Sequence, residues 1–157
     1  MSAIPKTEKV VVVDGPNGHR RLVAGLPIAA GEVLFEARGS VHEIPTRYTL
    51  QVGENAHLGA ADEEELHRAP ERYIWCFLNH DCDPNAYFRG HILLALRSVS
   101  VGEELSFDYN TTEWDMAEPF QCWCDAVPGA HHIRGFKYLS PERRTALTPF
   151  LGSWLKP

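Results

Sequence analysis

Three cysteines and two histidines in this sequence have side chains and spacing that could bind a metal ion. Cys122 and Cys124 are separated by one residue, and Cys82 lies in a polar segment earlier in the chain. His131 and His132 follow within loop reach, and either could supply a fourth ligand. Thiolates and imidazoles are ligands of tetrahedral Zn²⁺ sites. A lone Cys-x-Cys pair also occurs among buried thiols that pack as small apolar side chains, so both interpretations stay open.

A second candidate group begins where the apolar run at residues 74–78 meets the polar segment at residues 79–85. Asn79 and His80 stand at this junction, and both carry donors and acceptors that could bind the edge of a polar ligand. The alternative is a structural turn, because the Asp-Pro-Asn sequence at residues 83–85 is itself a turn signal.

Aromatic residues accompany both groups. Tyr109 follows Asp108 at the end of a predicted strand, where its hydroxyl could point into a cleft or simply be hydrogen-bonded in a packed surface. Trp114, Phe120 and Trp123 flank the cysteine pair. They could cover a ligand or form a small satellite core.

The elements that would position these residues are mostly short β-strands. Apolar and β-branched runs bounded by turn residues predict strands at residues 10–13, 21–24, 33–35, 48–52, 91–96 and 105–107. Many short strands, few helices and no βαβ rhythm predict a mainly β domain of the α+β class.

Two short helices are also predicted. One covers residues 61–68, with Asp62 near its start, and the other has Ser140 as its N-cap and ends near residue 147. Residues 71–77 fit a helix and an extended chain equally well.

Length and charge limit the class of protein. The chain has 157 residues, which fits one domain, and a net charge of −6, which disfavours direct binding to nucleic acid. No apolar run approaches the length of a membrane span. The four cysteines do not suggest a disulfide framework, and Cys76, inside an apolar run, is predicted to lie in the core. We therefore expect a soluble, cytoplasmic protein.

Three motifs occur in an order that indicates a particular family: FLNHDCDPNA at residues 77–86, VSVGEELSFDYN at 99–110 and FQCWC at 120–124. Together they resemble the signature of the SET-domain protein lysine methyltransferases. IAAGEVLFE at residues 28–36 resembles the strand-turn-strand near the start of such domains, and YTLQVGE at 48–54 resembles a form seen in compact bacterial-type members. The resemblance covers most of the chain.

The resemblance implies a fold of several small curved β-sheets with short helices and a C-terminal segment threaded beneath an earlier loop, an exception to the usual absence of knots. It divides the chain into a SET domain at residues 1–118, a post-SET-like segment at 119–136 and short C-terminal helices packed on the domain at 137–157.

The resemblance also implies residue roles. S-adenosylmethionine would be the cofactor and Tyr109 the catalytic residue. Asn79 and His80 would contact the cofactor, while Phe120 or Trp123 would lie over it or form a wall of the lysine channel.

Phe107 and Tyr48 would line that channel. Phe107 occupies the family's Phe/Tyr switch position, where the absence of a hydroxyl leaves room for more than one methyl transfer. Cys82, Cys122 and Cys124 would match three of the four zinc ligands.

The sequence departs from the family pattern at two places. The usual Gly-x-Gly is replaced by His19-Arg20-Arg21, so either Gly18 serves in a shifted register or an arginine meets the cofactor carboxylate. The position of the third post-SET cysteine is Gly129, so either His131 or His132 completes a Cys₃His site, or zinc is absent or weakly held.

The function implied is S-adenosylmethionine-dependent transfer of a methyl group to a lysine ε-amine of a protein or peptide, without direct binding to nucleic acid or membrane. Two alternatives remain: a non-catalytic SET-like module that binds a protein, and a SET-derived enzyme that acts on a small molecule. The segment between Tyr48 and Phe77 is short, which predicts a shallow peptide groove that a partner or a second copy, as a homodimer, would complete.

Overall fold

The computed structural model describes residues 9–124, 126 and 131–156, and most of its regular structure is β-sheet. The helices are α1 (Glu63–Arg68) and α2 (Pro141–Leu147). The strands are β1 (Val10–Asp14), β2 (Arg20–Ala24), β3 (Val33–Glu36), β4 (Ser40–His42), β5 (Leu50–Gly53), β6 (Ala56–Gly59), β7 (Asn79–His80), β8 (Ala86–Arg89), β9 (Ile92–Ala95), β10 (Ser106–Phe107), β11 (Phe120–Cys122) and β12 (His131–Ile133).

Within the described residues the strands form small sheets of two or three strands. The three-stranded sheets have the orders β3-β9-β8 and β4-β6-β5, and the pairs are β1-β2, β7-β10 and β11-β12. This is the mainly β, α+β architecture that the sequence predicts. The threading of the C-terminal segment and the boundaries of the three divisions stay predictions.

The hairpin of β1 and β2 confirms the strands predicted at residues 10–13 and 21–24. Between them the chain reverses through Asn17 and Gly18, whose φ angles are 60° and 73°. Asn and Gly are the residues that tolerate this left-handed conformation. The turn places the backbone of Gly18 at one side of the cavity described below.

β7 and β10 are the parallel pair, with Phe107 opposite His80. The buried side chain of Asn85 holds this crossing, because it accepts a hydrogen bond from the N–H of Ser106 (3.0 Å) and donates one to the carbonyl of Glu104 (2.8 Å). Strands β7 and β10, which lie more than twenty residues apart in the sequence, thereby come side by side.

The helix predicted after Ser140 begins at its expected N-cap, whereas the helix predicted from residue 61 begins two residues later, with Asp62 as its N-cap. The carboxylate of Asp62 accepts from the N–H of Glu65 (2.8 Å), and the hydroxyl of Ser140 accepts from the N–H of Arg143 (3.2 Å). With six and seven residues, α1 and α2 fall well short of a membrane span, and no longer apolar helix occurs among the described residues.

Residues 71–77, whose sequence fits a helix and an extended chain equally well, lie in two 3₁₀ turns, Pro70–Arg72 and Ile74–Phe77. Cys76 lies in the second turn and packs against the hydrophobic core, as predicted. Its thiol also donates a hydrogen bond to the carbonyl of Tyr48 at 3.3 Å. This bond fixes the chain before β5 against the turn.

Candidate active site

A cavity of about 930 Å³ opens between the β1–β2 turn, the chain before β5, strand β7 and the chain before β11. Its volume lies within the range of small-molecule sites, about 300–1,000 Å³. Most residues predicted to bind the cofactor or line the lysine channel lie around it: Arg20, Tyr48, Asn79, His80, Phe107, Tyr109 and Phe120. Arg21 and Trp123 are not among its lining residues.

Tyr109 is fixed in this cavity at both its backbone and its side chain. Its hydroxyl donates to the carbonyl of Leu78 at 2.6 Å, and its N–H donates to Nδ1 of His80 at 3.1 Å. The ring packs on Phe107 and Phe120 at centroid distances of 4.9 and 5.8 Å. Burial raises the pKa of Tyr109 well above its ordinary value, with smaller contributions from nearby carboxylates. The phenol is therefore neutral, with its hydrogen committed to Leu78 and its oxygen lone pairs available.

His80 joins the cavity to the cysteine cluster. Because Nδ1 accepts from Tyr109, the ring hydrogen resides on Nε2, which lies 3.2 Å from Sγ of Cys82. Burial lowers the pKa of His80 to about 3, so the ring is neutral even though a carboxylate oxygen of Asp108 lies 3.7 Å from Nδ1. A neutral imidazole in one tautomer holds the orientation of both neighbours.

The carboxylate of Asp108 instead pairs with Arg143. The guanidinium on α2 donates to Oδ2 of Asp108 at 2.8 Å and to the carbonyl of Cys82 at 3.2 Å. Asp108 is 1% exposed, so this pair is the charge compensation of a buried carboxylate. Arg143 could not be predicted from the sequence, because nothing in its local pattern connects α2 to the motif that contains Cys82.

The predicted cofactor residues on β2 and β7 have defined partners. The amide nitrogen of Asn79 donates to Glu104 at 2.8 Å, and the guanidinium of Arg21 lies 3.9 Å from the same carboxylate. Arg20 lines the cavity, with its guanidinium 5.4 Å from the ring centroid of Phe77. Arg21 thus lies behind Asn79, while Arg20 is placed to meet a ligand.

The aromatic residues around the cysteine pair divide into inner and outer groups. Phe120 packs edge-on against His80 at 5.7 Å and lines the cavity. Trp114 packs on Phe136 at 6.2 Å, and Trp123 is 76% exposed. Phe120 is thus well placed for a cofactor contact, whereas no contact among the described residues supports that role for Trp123.

Cys82, Cys122, Cys124 and His131 form a cluster whose four ligand atoms lie within 4.8 Å of one another. Nε2 of His131 is 3.0 Å from Sγ of Cys82 and 3.8 Å from Sγ of Cys124. A tetrahedral zinc with ordinary bond lengths separates its ligand atoms by about 3.5–3.8 Å, so the donor set and spacing fit this metal. Gly129, the position of the missing cysteine, lies outside the described residues.

Glu113 is a cavity residue that could not be predicted from the sequence. Its Oε2 accepts hydrogen bonds from the hydroxyl of Thr112 (2.6 Å) and the N–H of Gln51 on β5 (3.0 Å). Burial raises the pKa of Glu113 to about 7 despite these two donors. No motif marks this residue, because its importance depends on β5 passing beside the turn that follows Tyr109.

Comparison with known proteins agrees with this geometry. A model of the SET domain family matches residues 19–110, and the chain belongs to that family. The chain is 42% identical over 55 residues to the methyltransferase flvH of Aspergillus flavus, covering 32% of this chain and 30% of that protein. It is 30% identical over 119 residues to the histone-lysine N-methyltransferase ATX2 of Arabidopsis thaliana, covering 66% of this chain and 11% of that protein.

The fold is also similar to that of a solved structure. The crystal structure of KRYPTONITE in complex with mCHG DNA and SAH matches with a TM-score of 0.57 and 19% identity, over 76% of this chain and 28% of that one. The chain therefore spans less than a third of each of these relatives. Because two of them are fungal and plant proteins, the likeness to compact bacterial-type members stays a prediction.

Proposed function

We propose that this chain is an S-adenosylmethionine-dependent methyltransferase whose acceptor is the ε-amine of a lysine in a protein substrate. The observation that carries the proposal is the hydroxyl of Tyr109, fixed in the cavity between Phe107 and the Asn79–His80 strand. Relatives named histone-lysine N-methyltransferases support a protein substrate. A further solved neighbour, KRYPTONITE with an H3(1–15) peptide and SAH, has the same fold at a TM-score of 0.54 and 18% identity.

The cavity residues suit the acceptor side of this reaction. When bound, S-adenosylmethionine supplies an electrophilic methyl group. The attacking lysine must be neutral, although its ordinary pKa is about 10.4. Walls formed by Phe107 and Phe120 exclude water from the amine and so lower its pKa. Tyr109 then orients the amine, because its oxygen accepts a hydrogen bond from the amine N–H while its own hydrogen stays on Leu78.

The donor side would be held by the chain around β7 and the β1–β2 turn. Asn79 and His80 line the cavity, and Arg20 offers a guanidinium for a carboxylate. The bare backbone of Gly18 allows close approach, because no atom lies within 4 Å of the position where a Cβ would be. Holding donor and acceptor in line supplies much of the catalysis in such a displacement.

Zinc would have a structural role next to this site. The Cys₃His cluster ties β11 and β12 to Cys82, and Cys82 contacts His80 directly. The metal would thereby fix Phe120, the first residue of β11, against the cavity. A cytoplasmic location, a homodimer and the absence of direct nucleic-acid binding stay predictions.

The proposal is tested with purified protein and S-adenosylmethionine labelled in the methyl group. We expect calorimetry to show cofactor binding and the label to appear on a lysine of a histone H3 peptide. Absence of cofactor binding would favour the non-catalytic binding module. Label on free L-lysine or another small amine, with none on peptides, would favour the small-molecule enzyme.

A further inference from the structure

Glu113 is hydrogen-bonded to the backbone of Tyr109, and both residues line the cavity. The N–H of Glu113 donates to the carbonyl of Tyr109 at 3.0 Å, at the end of the 3₁₀ turn Tyr109–Thr111. Both side chains line the same cavity, together with Phe107. Any ligand group that reaches Tyr109 from the side of β5 therefore passes close to a carboxylate.

The two oxygens of this carboxylate have different surroundings. Oε2 is held by Thr112 and by the N–H of Gln51. Gln51 is itself fixed, because its side chain accepts from the N–H of Trp114 (2.8 Å) and donates to the carbonyl of Gly53 (2.9 Å). Oε1 accepts no hydrogen bond from any described residue. It is also absent from the fully buried atoms that lack a partner, so it is accessible. Oε1 is therefore an accessible hydrogen-bond acceptor without a partner among the described residues, in a side chain that is rigidly held.

The cations around the cavity do not neutralise Glu113. Arg47 lies 3.6 Å from Glu118 and stacks over the ring of Tyr48, and Arg20 lies 3.5 Å from Asp14. No ion pair joins Glu113 to a lysine, arginine or histidine within residues 9–124, 126 and 131–156. A buried carboxylate without a cation is unfavourable, and a cationic ligand removes that penalty.

We propose that Glu113 is a substrate-recognition residue, whose Oε1 accepts a hydrogen bond from the primary alkylammonium group of the acceptor as it enters the cavity. The proposal rests on the proposed function, since it concerns the amine that is to be methylated. Glu113 would give the site a preference for a positively charged methyl acceptor. The apolar walls and the hydroxyl of Tyr109 do not provide this preference. A lysine side chain and a small free amine share this chemistry.

The test is a binding measurement that needs no turnover. Calorimetry in the presence of S-adenosylhomocysteine would compare wild type with Glu113→Gln, which keeps the size of the side chain and an oxygen for Gln51 and Thr112. The probes are a lysine-containing histone H3 peptide and n-butylammonium. We expect Glu113→Gln to weaken at least one of them about tenfold or more, as for a hydrogen bond to a charged group, with S-adenosylhomocysteine binding unchanged.

The matched control is Glu43→Gln, which removes the same charge from an exposed loop and should leave both affinities unchanged. An effect on the peptide alone identifies a protein lysine as the source of the ammonium, and an effect on n-butylammonium alone identifies a small amine. Equal affinities in wild type and Glu113→Gln would overturn the inference.

A second measurement applies if Glu113→Gln does not fold. Wild type should bind n-butylammonium at least about tenfold more tightly than n-butanol, which has nearly the same shape and no charge. Equal binding, or no binding of either ammonium probe, also overturns the inference. Failure of the proposed function would look different, because it would appear as absent methyl transfer in the labelling experiment.

Discussion

The backbone N–H of Tyr109 donates a hydrogen bond to Nδ1 of His80, over a distance of 3.1 Å. This bond joins two residues that are 29 positions apart in the sequence, and it sets the tautomer of the imidazole. It also places the phenol, whose hydroxyl reaches the carbonyl of Leu78, directly beside β7. The candidate catalytic residue and a candidate cofactor residue are therefore held in a fixed position relative to each other.

Replacing Tyr109 with Phe should abolish most activity while leaving the fold intact. The variant keeps the ring contacts with Phe107 and Phe120 but loses the oxygen that would orient the amine. We expect kcat to fall by about 10²-fold or more, with little change in cofactor affinity, and stability to fall by about 1 kcal/mol from the lost bond to Leu78. Steady-state kinetics and calorimetry would measure both.

Tyr87→Phe is the matched control for this variant. Tyr87 also loses a hydroxyl, one that accepts from Arg89 at 3.0 Å, but it does not line the cavity. An equal loss of activity in the two variants would contradict the role given to Tyr109.

Replacing Phe107 with Tyr should restrict the number of methyl groups transferred. Phe107 is 6% exposed and packs edge-on against Phe88 at 5.0 Å, so an added hydroxyl has little room except towards the cavity. There it would crowd an amine that already carries a methyl group. Mass spectrometry should show mainly monomethyl product from the variant and higher states from wild type. Phe150→Tyr, on the far side of Tyr87, should leave the product distribution unchanged.

Local pattern was enough to predict much of this fold. The valine run of β1, the cap at Ser140 and the turn before β2 each depend on neighbouring residues, and each is where the sequence indicates. Strands β6 and β8 were not predicted, because Ala56–Gly59 and Ala86–Arg89 are four residues long and lack a β-branched run. Their strand character comes from pairing within three-stranded sheets.

The site was predictable where a residue belongs to an ordered motif. Asn79, His80 and Tyr109 lie within such motifs, and the structure brings all three to one cavity. Arg143 and Glu113 act through distant partners, the carboxylate of Asp108 and the backbone of Gln51, so no local signal marks them. Long-range pairing of this kind requires the fold itself.

Replacing Arg143 with Met should destabilise the protein strongly. The variant keeps most of the side-chain volume but leaves the carboxylate of Asp108 buried without its cation and the carbonyl of Cys82 without a donor. We expect the free energy of unfolding to fall by about 2–4 kcal/mol. This is less than for a fully buried ion pair, because the arginine side chain is 32% exposed. Urea denaturation would measure it.

Arg97→Met is the comparison for that measurement. Arg97 pairs with Glu103 at 2.8 Å on the surface, where an ion pair contributes about 0–1 kcal/mol. Similar losses in both variants would show that the Asp108–Arg143 pair is no more important than a surface pair.

Glu113 should make stability depend on pH. Its pKa of about 7 exceeds the ordinary value of 4.5, so the folded protein binds a proton that the unfolded chain releases. Stability from this group is therefore fully present below about pH 4.5 and is lost as pH rises towards and beyond 7. Because Glu113 lines a cavity and is only partly buried, we expect stability to fall by about 1–3 kcal/mol.

Glu113→Gln removes this titration. The variant should be more stable than wild type at pH 8, and the difference should shrink or reverse at pH 5. Urea denaturation at the two pH values would show it, with Glu43→Gln as a control whose effect does not change with pH. A constant difference between Glu113→Gln and wild type would rule out an elevated pKa.

The histidines of β12 offer a direct test of the zinc site. His131 and His132 are adjacent, but their side chains leave opposite faces of the strand, and only His131 belongs to the cluster with Cys82 and Cys124. His131→Gln should therefore lower zinc content and reduce stability, while His132→Gln, with an exposed side chain, should keep wild-type values. Zinc per chain would be measured by elemental analysis, and unfolding would be followed with and without a chelator. Loss of zinc in His132→Gln but not in His131→Gln would show that His132, and not His131, is the fourth ligand. A wild-type protein that contains no zinc, and whose stability is unaffected by Cys124→Ser, would show that no metal holds Phe120 against the cavity.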